Sequence, residues 1–302
     1  MGGWRLRVGV AAVLLAALAG CGSVVASAIP AEESYPVGVR TLDLSRGVDR
    51  PLPTTIWYPA AGVTLAPDGP GTPVLDALPA PGRFPIVLFS HGLNSRPEHH
   101  AQLTTRWAAA GFVVVAPAYP HTKLGAAQFD RNDVRHQPAD AWHVLRAVRS
   151  LDRRLDDPLA GHLAASRVAA VGHSAGGYTT AGLLTAGHSA TLRGAVIIAG
   201  GTRHRFGGPP VPVLFVHGSA DRVVRASAGW SAYRQVPWDK AFVTVVGQGH
   251  GEYLIPGEPG FPETASTISD FLRWTLHDDS AARDRLPLGA DVPGITTWTG
   301  RI

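Results

Sequence analysis

The sequence predicts one α/β domain built around a mostly parallel sheet. Its longest apolar runs are continuous and do not alternate with polar residues, as expected for strands that are buried on both faces. Segments with helical spacing alternate with these runs over about 230 residues, the order that produces a parallel sheet. The 302-residue chain is 45% hydrophobic and 17% charged, so it has enough apolar surface for a core and is not wholly disordered.

Seven runs are strand candidates, and five segments between them are helix candidates. The predicted strands are 54–58, 86–89, 113–115, 168–171, 195–198, 213–216 and 242–246, and the predicted helices are 97–110, 138–151, 175–187, 225–236 and 263–276. Pro138 and Asp140 stand in the first turn of the second helix, where a helix favours proline and an acid. Gly and Pro are frequent in 62–82, which predicts a surface loop.

The N-terminus has the pattern of an export signal. Arg5 and Arg7 precede a run of about 12 apolar residues, which is too short for a membrane-spanning helix of about 20. The following Leu18-Ala19-Gly20-Cys21 resembles the bacterial lipobox, in which the cysteine is acylated and the chain is cut before it. Cys21 is the single cysteine of the chain, and lipidation would account for it.

This pattern predicts an exported protein that is lipid-anchored to the outer face of the cell membrane. A cut after Ala26-Ser27-Ala28 is the alternative, and it would give a soluble secreted protein. The predicted organisation is a lipoprotein signal peptide at 1–20, a lipidated tether at 21–36, the α/β domain at 37–277 and a C-terminal surface tail at 278–302. We expect a monomer.

The charge of the chain does not indicate a nucleic-acid partner. The net charge is +4, and it falls to about +2 once Arg5 and Arg7 are removed with the signal. The other arginines are scattered and do not form the basic stripe that tracks phosphates. We find no HExxH motif and no cysteine pair, so we expect neither a metal nor another cofactor.

A candidate nucleophile follows the strand at 168–171. The sequence Gly172-His173-Ser174-Ala175-Gly176 lies between this strand and a predicted helix, which is the context that a nucleophile elbow requires. Glycines at both ends allow a tight strand-to-helix turn, with the Ser174 hydroxyl exposed at its tip. The alternative is a strand–helix turn without chemistry.

A serine hydroxyl needs a base, and enzymes with this elbow place an acid and then a histidine later in the chain. Asp221 lies just past the strand at 213–216, and His250 lies between Gly249 and Gly251 after the strand at 242–246. Asp239 is the other acid between Ser174 and His250, but it precedes a strand and so lies at the wrong edge of the sheet. The predicted triad is therefore Ser174, His250 and Asp221, with turn or surface roles as the alternatives.

Acyl transfer also needs donors for the developing oxyanion. The Ala175 N–H, at the start of the helix after Ser174, is one candidate. By position the second is the Leu93 N–H, in the loop after the strand at 86–89, where Gly92 allows the turn. His91, His173 and His217 are interpreted as structural residues.

With these residues in place, residues 37–277 resemble the α/β-hydrolase superfamily. The segments 54–60, 84–92 and 172–177 are similar to one branch, which includes dienelactone-hydrolase-like, platelet-activating-factor-acetylhydrolase-like and cutinase-like polyester hydrolases. Two departures matter. Polyester hydrolases usually have an aromatic residue in place of Leu93 and Met in place of Ala175, and dienelactone hydrolases use a cysteine where this chain has Ser174. The resemblance therefore implies an α/β-hydrolase fold without choosing between polyester and lactone cleavage.

The resulting hypothesis is a serine hydrolase that cleaves small-molecule or polymeric carboxylic esters through an acyl-enzyme. Two alternatives are an acyltransferase with the same triad and a catalytically silent binding lipoprotein. Residues 200–210 are too few for a lid domain, so we expect an open cleft that suits short or medium acyl chains. The segment 120–137 is the place where a small cap could form.

Overall fold

A mixed sheet forms the centre of the protein in the computed structural model, which describes residues 1–3, 34–62 and 71–302. The chain divides into two compact units, Met1–Glu32 and Glu33–Ile302, and the second contains every helix and strand named below. Cys21, the lipobox and the alternative cleavage site lie outside the described residues. The lipoprotein interpretation therefore stays a prediction.

Ten strands make up the sheet within the described residues. They are β1 (Val37–Ser45), β2 (Pro51–Pro59), β3 (Val74–Leu75), β4 (Phe84–Ser90), β5 (Val113–Pro117), β6 (Leu163–His173), β7 (Leu192–Ile198), β8 (Val213–Gly218), β9 (Lys240–Val245) and β10 (Thr296–Arg301). Their order is β10-β9-β8-β7-β6-β4-β5-β2-β1-β3. The six strands from β9 to β5 in this order are mutually parallel. Strand β10 pairs antiparallel with β9, β2 pairs antiparallel with β5 and with β1, and β3 pairs parallel with β1.

Helices cover both faces of the sheet. They are α1 (Ala101–Ala109), α2 (Gln137–Leu151), α3 (Ala175–Leu183), α4 (Ala226–Gln235), α5 (Phe261–His277) and α6 (Ser280–Ala290). Successive residues of a strand point to opposite faces, so each strand serves two cores. Leu88 of β4 joins the core beneath α2, α3 and α4, whereas its neighbour Phe89 joins the core beneath α1, α5 and α6. This arrangement confirms the predicted fold class, an α/β-hydrolase fold with a mostly parallel sheet.

All seven predicted strands and all five predicted helices are present, with shifted ends. The helix predicted at 97–110 begins as a 3₁₀ turn at Pro97–His100 and becomes α-helical only at Ala101. Helix α3 ends at Leu183, before Gly187 adopts a left-handed φ of 84°.

The prediction of a surface tail at 278–302 is wrong. Asp279 caps α6 by accepting a hydrogen bond from the Ala282 N–H, and α6 packs against α5. Strand β10 then pairs antiparallel with β9, so the tail completes one edge of the sheet. Proline is unfavourable inside a helix and glycine inside a strand, and Pro287 and Gly300 occupy such positions in α6 and β10. The sequence pattern of each element is therefore weak, and neither element is predicted from it.

Across the part of the chain that the structure describes, no helix is both long and apolar enough to cross a membrane.

Candidate active site

Ser174 lies on a strained turn between β6 and α3. Its φ of 58° and ψ of −118° are unusual for a residue other than glycine. Two close backbone contacts hold the turn in place. A Cβ atom on Gly172 would lie 2.0 Å from the Gly176 carbonyl oxygen, and one on Gly176 would lie 1.9 Å from that of Ser90. The two glycines of the motif are therefore required by close packing of α3 on β6 and β4.

The three residues predicted as a triad lie together at the carboxyl ends of their strands. The Ser174 hydroxyl is 2.8 Å from His250 Nε2, and His250 Nδ1 is 2.7 Å from Asp221 Oδ2. Ser174 follows β6, Asp221 follows β8, and His250 follows β9. Parallel strands end at one edge of a sheet, so residues far apart in sequence meet there.

The Asp221 carboxylate is buried and is held by four contacts. Its Oδ1 accepts hydrogen bonds from the Val223 and Val224 N–H groups, and its Oδ2 faces His250 and His217. Burial raises the pKa of the Asp221 carboxyl, but the hydrogen bonds from His250 and from the two N–H groups outweigh burial and lower it. The side chain is therefore an anion at neutral pH, as an acceptor for the imidazole N–H must be.

Two histidines interpreted as structural contact residues of the predicted triad directly. His173 Nε2 lies 2.7 Å from the carbonyl oxygen of His250, and its N–H donates to that oxygen. His217 Nε2 lies 2.8 Å from the Val224 carbonyl oxygen and 3.3 Å from Asp221 Oδ2. Burial lowers the pKa of His173 to about 4 and also lowers that of His217, so both imidazoles are neutral at pH 7. His173 thus holds the loop that carries His250, and His217 holds the loop that carries Asp221.

These supporting roles are only weakly visible in the sequence. His173 adjoins the nucleophile, and His217 stands four residues before the acid, a spacing that brings it back to the carboxylate. Neither the residue type nor the spacing distinguishes a histidine that makes such a contact from an ordinary buried histidine.

The glycines beside His250 contribute close packing, which differs from the backbone freedom that the sequence suggests. Gly251 has a φ of 178°, which any residue can adopt. A Cβ atom on Gly218, at the end of β8, would lie 2.1 Å from the Gly249 carbonyl oxygen. The acid and base loops thus touch through backbone atoms.

The two predicted oxyanion donors lie on either side of Ser174. Ala175 is the first residue of α3 and directly follows the serine. On the other side, a Cβ atom on Gly92 would lie 3.2 Å from Ser174 Cβ, so the Gly92–Leu93 backbone runs against the nucleophile. Within the described residues, neither the Leu93 N–H nor the Ala175 N–H donates to a protein acceptor. Both groups are therefore available to a ligand.

His91 is part of the scaffold of this loop. Its Nδ1–H donates to the Gly92 carbonyl oxygen at 2.8 Å, and its Nε2 accepts the Tyr119 N–H at 3.1 Å. Both ring nitrogens are therefore occupied, and burial lowers the pKa of His91 to about 4. These contacts connect the end of β4 to the segment after β5.

Ser174 is largely buried, and His250 is partly exposed. Ser174 is 9% exposed and the His250 side chain 21%. The segment 199–212 between β7 and β8 contains neither helix nor strand. In 120–137, the place considered for a cap, the structure has turns and one short 3₁₀ helix, Arg131–Arg135, before α2 begins. Gln137 binds this segment to α3 through Thr122 and Thr179.

Among the described residues, no three His, Cys, Asp or Glu side chains lie in a group that could hold a metal ion.

Comparison with known proteins supports the ester chemistry. Residues 60–199 match the family model described as Chlorophyllase, a family of carboxylic-ester hydrolases. The match includes Leu93, Ser174 and Ala175 and ends before Asp221 and His250. Comparison with curated proteins finds no match. The fold and the matched region together identify the chain as a carboxylic-ester hydrolase of the α/β-hydrolase type.

Proposed function

We propose that the protein hydrolyses short or medium acyl esters through the triad Ser174, His250 and Asp221 and an acyl-enzyme intermediate. The observation that supports this proposal is the continuous line of hydrogen bonds from the Ser174 hydroxyl through His250 to Asp221. The strained turn at Ser174 and the free N–H groups beside it add the two other parts that acyl transfer requires.

In this mechanism Ser174 Oγ attacks the ester carbonyl carbon while His250 Nε2 takes the hydroxyl proton. The carbonyl oxygen becomes an oxyanion, which the Leu93 and Ala175 N–H groups stabilise. The alkoxide leaves with the proton from His250, and Ser174 keeps the acyl group. Water then attacks the acyl-enzyme with His250 as base, so the acid is released and the serine hydroxyl is restored. Asp221 holds Nδ1–H in place and stabilises the imidazolium.

The first prediction concerns the nucleophile. A fluorophosphonate probe forms a covalent bond only with an activated serine, so intact protein is expected to label and Ser174→Ala is not. Ser227→Ala removes an exposed serine of α4 and serves as the matched control, with labelling unchanged. Labelling is read after electrophoresis and by mass spectrometry of the modified peptide. Equal labelling of Ser174→Ala and the parent would exclude Ser174 as the nucleophile.

The second prediction concerns access to the cleft. Because 199–212 is short and without a helix, no lid has to open before an ester reaches Ser174. We therefore expect simple saturation kinetics on soluble p-nitrophenyl esters and no jump in rate at the solubility limit. A panel of acyl lengths, with chlorophyll included because of the matched family, would define the substrate class. A clear activation at the oil–water interface would show that the cleft has a closed state and would contradict this prediction.

We also propose that the protein is exported and attached to the outer face of the cell membrane through acylated Cys21. The lipobox-like sequence before Cys21 is the support for this proposal. Diacylation would give stable anchoring, whereas a single chain would be marginal.

A further inference from the structure

The two ends of the sheet differ in chemistry. Ser174, Asp221 and His250 lie where the parallel strands end. At the opposite end, where β4 and β6 start and α2 ends, is a groove of about 710 Å³. It is lined by five arginines and one aspartate, together with Ser150, Ser166 and two alanines. The charged residues are Arg83, Arg146, Arg149, Asp152, Arg153 and Arg167. We call this the arginine groove.

Ion pairing leaves much of this charge uncompensated. Arg83 pairs with Asp152, and Arg167 pairs with Asp278. Within the described residues, Arg146 and Arg153 have no acidic partner, and both are exposed. The C-terminal dipole of α2 is equivalent to about half a negative charge, too little to balance them. The groove is therefore attractive to an anion.

Apolar residues protrude from the same end. Leu155 lies two residues after the groove residue Arg153, in the turn after α2, and is 97% exposed. On the other side are three exposed apolar side chains of β3 and the residues after it, Val74, Leu75 and Leu78. Strand β3 pairs with the start of β1, and an ion pair of 3.0 Å between Arg40 of β1 and Asp157 connects β1 to the turn that carries Leu155.

Tyr35, near the start of the domain, lies at this end. The Tyr35 N–H donates to the Ala109 carbonyl oxygen, and the Tyr35 ring packs edge-on against Phe84 at 5.4 Å. Phe84 is the first residue of β4 and directly follows Arg83 of the groove. The last residues of the proposed tether, 34–36, thus lie beside the arginine groove and away from the triad.

We propose that the end of the domain with the arginine groove and Leu155 docks on an anionic phospholipid bilayer. Unpaired arginines beside exposed apolar side chains are the combination that binds the surface of such a membrane. The groove would take phosphate groups of the lipids while Leu155 enters the interface. Docking would direct the cleft above Ser174 away from the bilayer, toward esters outside the cell. This contact does not depend on the triad.

The test uses the full chain as the cell processes it, with a fluorophore on Leu155→Cys and, in a second protein, on Val223→Cys. Val223 is 72% exposed and lies next to Asp221, at the opposite end. The parent chain, labelled in parallel, gives the background signal from any Cys21 that is not acylated. Each protein is bound to vesicles that contain nitroxide-labelled lipid, made of phosphatidylcholine alone or with phosphatidylglycerol. We expect quenching at position 155 several-fold above that at 223, only with phosphatidylglycerol, and its loss in high salt.

Charge reversal tests whether the arginines of the groove are required for docking. Arg146→Glu/Arg153→Glu is expected to lower quenching at 155 to the level at 223. Arg131→Glu/Arg234→Glu, two exposed arginines outside the groove, should leave it unchanged. Circular dichroism and thermal melting show that each variant is folded, so esterase activity is not needed as a readout. Equal quenching at both positions, no effect of the groove reversal, or equal quenching in pure phosphatidylcholine would overturn the proposal. So would loss of quenching with millimolar inorganic phosphate at constant ionic strength, because the groove would then bind free phosphate.

Discussion

Asp221→Asn is expected to lower kcat by about 10⁴-fold, equivalent to about 5 kcal/mol of transition-state stabilisation. Asp221 Oδ2 accepts the Nδ1–H of His250 at 2.7 Å. An asparagine amide in its place donates a proton to Nδ1, which places the imidazole proton on Nε2. The Nε2 atom then cannot accept the proton of Ser174, so the nucleophile is not activated.

The structure explains why this loss should occur without unfolding. Asparagine keeps an oxygen at the Oδ1 position, which accepts the Val223 and Val224 N–H groups. The loop after β8 therefore retains its backbone hydrogen bonds. His217, 3.3 Å from Oδ2, has the Val224 carbonyl oxygen as a second acceptor.

The measurement is kcat on a soluble p-nitrophenyl ester, with circular dichroism to compare the folds. Asp239→Asn is the matched control, because Asp239 is exposed and lies before β9, and we expect activity close to that of the parent. A loss below tenfold in Asp221→Asn would remove Asp221 from the triad and with it the proposed role of orienting His250 and stabilising its imidazolium.

The clustering of Ser174, Asp221 and His250 could be predicted because it depends on a simple topological rule. Strands β6, β8 and β9 are buried on both faces, so their sequences are continuous apolar runs with clear ends. Polar side chains that follow the carboxyl ends of these parallel strands therefore lie close together at one edge of the sheet. Asp239 precedes such a run, and the same rule excludes it.

Other elements depend on contacts that no local pattern shows. Strand β10 has little alternation and owes its conformation to pairing with β9. The hydrogen bond from His173 to the His250 carbonyl oxygen joins residues 77 positions apart. A histidine at the end of a strand is compatible with an ordinary core position. The sequence therefore provides no reason to assign His173 a supporting role.

A buried ion-pair cluster is another feature that the sequence does not reveal. Arg50, between β1 and β2, donates to both carboxylate oxygens of Asp133 at 2.8 and 2.9 Å and to both oxygens of Asp140. Arg46 contributes a further hydrogen bond to Asp140. Asp140 is fully buried and Asp133 is 5% exposed. The carboxylates are 83 and 90 residues from Arg50 in sequence, and scattered arginines do not reveal which acid they meet.

The cluster also fixes the geometry near the cleft. Asp133 belongs to the 3₁₀ helix in the segment considered for a cap, and Asp140 lies in the first turn of α2. Burial by itself would raise the pKa of the Asp133 carboxyl. The hydrogen bonds and the charge of Arg50 together outweigh burial, so the pKa of Asp133 lies below its usual value. Asp133 therefore depends on Arg50 for charge compensation, and Asp140 depends on Arg50 and Arg46.

Arg50→Met is expected to lower the free energy of unfolding by about 3–5 kcal/mol at pH 7, because it leaves two buried carboxylates without their main cation. Methionine retains much of the apolar stem, so the loss reports mainly on charge. Asp133 has a lowered pKa in the parent, so its pairing stabilises the protein above the unfolded pKa and is lost as pH falls through the folded value. The deficit of the variant should accordingly be largest at neutral pH and shrink on acidification, as the Asp133 carboxylate, which has lost Arg50, takes up a proton. Urea unfolding at pH 7 and pH 4.5 measures both effects.

Arg193→Met is the control. It removes an exposed ion pair with Asp278 at 3.7 Å, so it should change the free energy of unfolding by less than about 0.5 kcal/mol. A similarly small change for Arg50→Met, or a deficit that grows on acidification, would show that the cluster does not hold the segment before α2 against the sheet through its charges.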